Sequence, residues 1–228
     1  MPLRLEERIL ERLQAELKEK TVWWKGEWWN AGRFLGLVEE LQRTLSEGGF
    51  SKGQRLVLLL PNCPLVLALS MAAWRLGGAV APLNLQSGFE ALLENLRVLD
   101  PWGIVLPTGM EGLRDSFAAA GYPSVSAPPE GPLPPLAGKP GIPDIPETAV
   151  VFSTSGTTGT PKAVIMTHGN LMDNTETVFR FVEELNKDDI FLNVLPNFHT
   201  LGYSVSGLLP LTIGLPQAVL PGFMPPQN

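Results

Sequence analysis

Between Phe152 and Leu171 the chain reads FSTSGTTGTPKAVIMTHGNL, a cluster of glycines and hydroxyls closed by one lysine. These residue types are what an anion requires. Gly156 and Gly159 permit positive φ and leave backbone N–H groups uncovered, while Ser155, Thr157 and Thr158 add hydroxyl donors. Lys162 supplies a full positive charge. Charge-assisted hydrogen bonds contribute about 1.5–3 kcal/mol each, so several together can hold a triphosphate. Composition alone also describes an ordinary Ser/Thr/Gly turn between two strands. The Walker loop is excluded, because Pro161 precedes the lysine, Ala163 follows it, and a strand rather than a helix opens next.

Other reactive side chains are few. Cys63 sits among apolar residues in an expected helix and reads as an inert core thiol. With 2 histidines and 1 cysteine, the chain has no transition-metal cluster and no intrachain disulfide. His199 stands in PNFH, between an expected strand and an expected helix, and reads either as a site residue or as a satisfied histidine at a strand end. His168, beside Thr167 at a helix start, reads as structural. The tryptophans of WWKGEWW read as cross-strand pairs of a hairpin around Lys25-Gly26.

The elements that must position the loop follow from hydrophobic period. Leu3 to Leu17 carry helical spacing, and Asn30 is an expected N-cap for a helix to about Ser46. RLVLLL, AVAPL, WGIVL and YPSVS read as strands, alternating with helices over Cys63–Leu76, Ser87–Leu99 and Met110–Ala120. Ser87 and Glu90 have capping-box spacing. That alternation predicts an α/β fold with mostly parallel sheets and flanking helices. Eight prolines between Pro128 and Pro146 predict a stiff connector. The expected organisation is therefore a first α/β subdomain over 1–127, a connector over 128–147 and a second α/β subdomain over 148–228 that carries the loop. In that second part TAVVF, AVIMT, DIFLNVL and QAVLPG are the expected strands, with helices over Gly169–Glu183 and near Leu201–Pro210.

Hydrophobic residues make up 44% and charged residues 18%, a globular composition. The net charge of −6 argues against nucleic acid as a partner. The longest apolar run is too short to span a bilayer, and the charged N-terminus is not a signal peptide, so a cytoplasmic setting is expected.

The ordered match of Ser155, Gly156, Thr157, Thr158, Gly159, Pro161 and Lys162 through Thr167, His168, Asn170 and Leu171 resembles the phosphate loop of the adenylate-forming superfamily. LPNCPLVLALSMAAWRLGGAVAPLNL and LPNFHTLGY resemble flanking blocks of the same family, and WWNAGRFLGLVEELQRTL does so more weakly. The resemblance implies a ligase in two steps. A carboxylate attacks the α-phosphate of ATP to give an acyl-adenylate, and the thiol of coenzyme A or of acyl carrier protein then takes the acyl group. It implies a cradle from Thr154 to Gly159 with Lys162 for charge, His199 beside the acyl pocket, and Mg2+ as the ion. LPNFHTLGYSVSGLLPL leans toward a fatty acid.

No counterpart of the family's metal-binding glutamate, ribose-binding aspartate, hinge or C-terminal lysine occurs in the 228 residues. The expectation is an incomplete N-terminal domain, inactive alone, that covers its exposed apolar surface by dimerising or by binding its missing half. The alternative of a different class is a non-catalytic nucleotide-binding or interaction module.

Overall fold

The computed structural model describes residues 4–155, 161–181, 185–186 and 188–222. Helix α1 (Leu5–Ala15) buries Leu5, Ile9 and Leu13. Strands β1 (Lys20–Trp24) and β2 (Glu27–Asn30) form the expected hairpin. Lys25 and Gly26 turn it at φ 49° and 92°, the double positive φ that suits the twist of a two-residue loop. Asn30 caps α2 (Ala31–Glu47), its side chain accepting from the Arg33 N–H at 2.8 Å.

Next come β3 (Arg55–Leu58), α3 (Pro64–Arg75), β4 (Ala79–Pro82), α4 (Phe89–Leu99), β5 (Gly103–Pro107), α5 (Glu111–Ala119) and β6 (Ser124–Ala127). The last part holds β7 (Thr148–Ser155), β8 (Pro161–Thr167), α6 (His168–Phe181), β9 (Phe191–Asn193), a π-helical turn (Gly202–Leu208), α7 (Leu209–Ile213) and β10 (Gln217–Val219). Gly88, not Ser87, caps α4, and it does so without a side-chain bond. Asn84 organises that corner instead: its side chain accepts from the Gln86 N–H and its carbonyl from the Ser87 N–H.

Two sheets result. The six-stranded sheet has the order β6-β5-β3-β4-β7-β8 and is parallel except for the β7–β8 hairpin. The four-stranded sheet has the order β2-β1-β10-β9, with only β1–β2 antiparallel. Helix α3 is buried from Pro64 to Trp74, as a helix apolar on every side must be. A large cluster around α3 joins residues from both sheets and from α1 and α2, and a smaller one packs α4 and α5 on the opposite face of the six-stranded sheet.

The division of sequence between the sheets differs from the expected boundary at 128–147. β7 joins β4, and β1 joins β10, so each sheet draws strands from both sides of the proline-rich segment. The reason is topological. β6 runs parallel to its neighbours, and so does β7 to β4, so the chain must return from the carboxyl to the amino end of the sheet between them. The proline-rich segment makes that return without a helix, and it is packed rather than free. Leu133 and Leu136 are buried, and Gly138 lies flat against the Trp102 ring where a Cβ would collide. The Lys139 and Asp144 N–H groups donate to the Trp102 and Gly53 carbonyls at 2.9 and 2.8 Å. Arg55 grips Asp144 through two bonds of 2.7 and 2.6 Å.

Candidate nucleotide site

The parallel strands end together, and beyond the carboxyl end of β4 opens a cleft of about 310 Å³. This is where open parallel sheets place ligands. Pro82, Leu83 and Asn84 line it from the end of β4, and Ala91, Glu94 and Asn95 from α4. Ser153 and Pro161 line it from the β7–β8 hairpin, and Phe198 and His199 from the loop after β9. Four separate pieces of chain thus meet around one space.

The hairpin is the stem of the glycine- and hydroxyl-rich loop, and its last rung pairs Ser155 with Pro161. Residues 156–160, with Gly156, Thr157, Thr158 and Gly159 among them, lie outside the described residues. Thr154 pairs with Lys162 across the stem, and both are exposed. Strand alternation puts that pair on the face of Phe152 and Val164, opposite the face of Ser153 and Ala163. Ser153 therefore faces the cleft, and the Thr154–Lys162 pair stands on the other face of the stem, outside the cleft lining. Ser153 Oγ hydrogen-bonds Asn95 Oδ1, and Asn95 Nδ2 donates to the Ala91 carbonyl at 2.6 Å, so α4 and the hairpin form one wall.

Glu94 and His199 are the only Asp, Glu, Lys, Arg or His residues among the described ones lining the cleft.

His199 is exposed at the cleft, with its ring 4.7 Å from that of Phe198. Its N–H donates to the Pro196 carbonyl at 3.0 Å, and its carbonyl accepts from the Tyr203 N–H at 2.8 Å. Tyr203 is fully buried: its hydroxyl donates to Ser70 Oγ on α3 at 2.6 Å, and its ring meets Phe152 edge-on at 5.7 Å. Burial pushes the Tyr203 phenol well above its ordinary value, with the Ser70 bond opposing that shift. The hydroxyl therefore acts as a fixed neutral hydrogen-bond donor.

His168 belongs to the core, in line with its sequence reading. It is buried, with its ring edge-on to Trp74 at 5.4 Å. Arg4 contacts its Nε2 at 2.8 Å, and Glu6 lies 3.0 Å from its Nδ1. Thr167 and Asn170 exchange side-chain and backbone bonds of 2.9–3.1 Å that start α6. The second half of the motif therefore ties the hairpin to α6 and α1. Cys63 is buried at the N-cap of α3, and burial raises its thiol from 9.0 to about 12, against smaller lowering by the Val66 and Leu65 backbone.

Sequence reasoning missed Asn84, Asn95, Ser153 and Tyr203. The available signal was a polar residue beside or inside an apolar run, as in APLNL, ALLENLRVL or AVVFS, but periodicity does not say which distant element answers it. Among the described residues no cluster of three or more His, Cys, Asp or Glu could hold a metal ion. No helix among them is long and apolar enough to cross a membrane.

Fold and cleft define an α/β protein with a cleft at the carboxyl edge of a mostly parallel sheet. The chain belongs to the AMP-binding enzyme family, whose description matches residues 10–228. It is 32% identical over 188 residues to the sulfoacetate–CoA ligase of Cupriavidus necator, covering 76% of this chain and 36% of that protein. It is 30% identical over 212 residues to the human mitochondrial malonate–CoA ligase, covering 86% of this chain and 35% of that protein. A long-chain-fatty-acid–CoA ligase of Bacillus subtilis is 32% identical over 80 residues, 35% of this chain and 14% of that protein. The crystal structure of ATP-bound MatB from Rhodopseudomonas palustris has the same fold, with a TM-score of 0.79 at 22% identity over 97% of this chain and 46% of that one. The chain spans about a third of the length of the first two relatives.

Proposed function

We propose that this chain supplies the ATP-gripping part of a carboxylate–CoA ligase that works through an acyl-adenylate. The observation that carries the reading is the meeting of the loop stem, through Ser153 and Pro161, and His199 around one cleft at the carboxyl edge of the sheet. In the first step a carboxylate oxygen attacks the α-phosphorus of ATP, the bond to the β-phosphate breaks, and pyrophosphate leaves. In the second, the sulfur of coenzyme A attacks the acyl carbon and AMP departs.

Positioning and charge stabilisation dominate such chemistry. Thr154, Ser155, Thr157 and Thr158 supply hydroxyls, Gly156 and Gly159 expose backbone N–H groups, and Lys162 supplies charge toward the β- and γ-phosphates. His199, on the cleft wall, is the residue that meets the carboxylate. The relatives are named for sulfoacetate, malonate and long-chain fatty acids, so they single out no acid. The long-chain lean rested on LPNFHTLGYSVSGLLPL, but Tyr203, Ser204, Ser206, Gly207 and Leu208 of that segment are buried in the protein core. Packing in the core accounts for the composition of the segment, and the substrate class we assign is a carboxylic acid. A dimer, as expected from the sequence, would cover exposed apolar residues at the edge strands, Ile190 and Leu192 at β9 and Val164 and Ile165 on β8, and sedimentation velocity tests it.

Calorimetric titration with ATP tests the loop. Removing the Lys162 charge forfeits one charge-assisted interaction of about 1.5–3 kcal/mol, a weakening of roughly 10- to 150-fold in Lys162→Ala. Equal affinities in parent and variant would discard the assignment.

A further inference from the structure

The loop that carries His199 is held by four buried amide side chains that the adenylation chemistry does not use. Asn62 follows β3 at the carboxyl end of the six-stranded sheet, just before α3. Its Oδ1 accepts from the Asn197 backbone N–H at 2.8 Å, and its Nδ2 donates to the Leu195 carbonyl at 2.8 Å. Asn197 in turn donates from Nδ2 to the Gly202 carbonyl at 3.0 Å and to Asn193 Oδ1 at 3.1 Å. Asn193, the last residue of β9, donates to Gln217 Oε1 at 3.0 Å, and Gln217 donates to the Gly207 carbonyl at 3.1 Å. All four side chains are at least 97% buried.

Stability alone is a poor account of this arrangement. Buried amides are costly unless every polar atom is paired, and Asn197 Oδ1 is buried with no partner among the described residues. An apolar side chain would fill the same space without that cost. What the network achieves is geometric. It joins the carboxyl end of the six-stranded sheet to the four-stranded sheet and closes the loop from Leu195 to Gly202 onto Asn197. His199 lies inside that closed loop, two residues from Asn197, with its own N–H bonded to Pro196 and its carbonyl to Tyr203.

We propose that Asn62 and Asn197 are positioning residues that fix His199 at the cleft. Asn62 sets the height of the loop over the sheet through two bonds of opposite polarity, one accepted and one donated. Asn197 sets the curvature of the loop by drawing the Gly202 carbonyl toward its own amide. The role assigned to His199 rests on the proposed function, but its placement does not.

The test uses this chain with its two histidines isotopically labelled and observed by NMR. His168, buried against Trp74, serves as an internal monitor of folding. The expected result for Asn62→Leu is loss of the single His199 ring signal, by shift or by splitting, with the His168 signal unchanged. An unchanged His199 signal in the folded variant overturns the proposal. If Asn62→Leu shifts His168 to its unfolded position, Asn62→Asp takes its place. That variant keeps the acceptor for the Asn197 N–H and loses the donor to Leu195, so the Asn197 amide should stay protected from solvent exchange while the His199 signal moves. A stationary His199 signal there also overturns the proposal. ATP is absent from these measurements, so a chain that fails to bind ATP but shows the His199 response would sink the proposed function and leave the positioning role standing.

Discussion

Gly202 offers a sharp test of how tightly the His199 loop is packed. Its φ lies outside the left-handed region, so alanine can adopt its backbone conformation without strain. The obstacle is space. A Cβ built on Gly202 would press into the Pro196 carbonyl oxygen closer than any non-bonded contact allows, 2.7 Å from its carbon and 2.8 Å from the Leu195 carbonyl oxygen. These are backbone atoms, and Asn62 holds Leu195 from the other side, so no flexible side chain can give way. Overpacking of this kind costs about 1–3 kcal/mol.

Gly36 is the control. It is exposed in the middle of α2, and a Cβ there meets nothing within 4 Å. Gly36→Ala should stabilise by about 0.8–1 kcal/mol through helix propensity. The same chemical change should thus move urea midpoints in opposite directions, with slopes unchanged and the two variants separated by roughly 2–4 kcal/mol. Gly202→Ala with stability at or above the parent would refute the packing of the loop against Pro196.

Two further expectations concern the rest of the fold. Burial raises the Cys63 thiol from 9.0 to about 12, so its share of stability is intact below pH 9 and is lost as pH climbs through that window. Parent and Cys63→Ala stabilities should converge there by at most about 1.4 kcal/mol per pH unit, and a disulfide reagent at pH 8 should react only on unfolding. Parallel stability profiles, or reaction in the folded state, would contradict this. Arg55 and Asp144 form a pair with side chains 13% and 2% exposed, and Arg55 also donates to the Leu99 carbonyl at 2.8 Å. Asp144→Ala leaves that guanidinium without its partner and should cost about 3–5 kcal/mol in chemical denaturation, whereas a loss under 1 kcal/mol would show the proline-rich segment to be loosely attached.

The elements themselves were legible from local signals. Asn30 marked the start of α2, Lys25-Gly26 the hairpin, and proline density the absence of helix over 128–147. What local signals did not carry was partner choice. β1 and β10 pair across nearly the whole chain, and β7 slots beside β4 because the proline-rich segment returns it to the amino end of the sheet. Periodicity says that a strand is buried, not which strand lies beside it. The same limit governed the site. The loop announced itself because its chemistry is contiguous, while Asn84, Asn95 and Ser153 converge on the cleft from separate strands and helices. LPNFHTLGYSVSGLLPL leaned toward a fatty acid because a segment buried in the core and one lining an apolar ligand share a composition.

Hydrogen–deuterium exchange with and without ATP tests the central claim most directly, since it reads where the nucleotide acts rather than whether a product forms. The account predicts slowed exchange over 153–167 and 195–200, with the α1 and β1–β2 regions unchanged. Binding of ATP without protection in the hairpin or the His199 loop, or protection confined to the opposite end of the sheet, would contradict it.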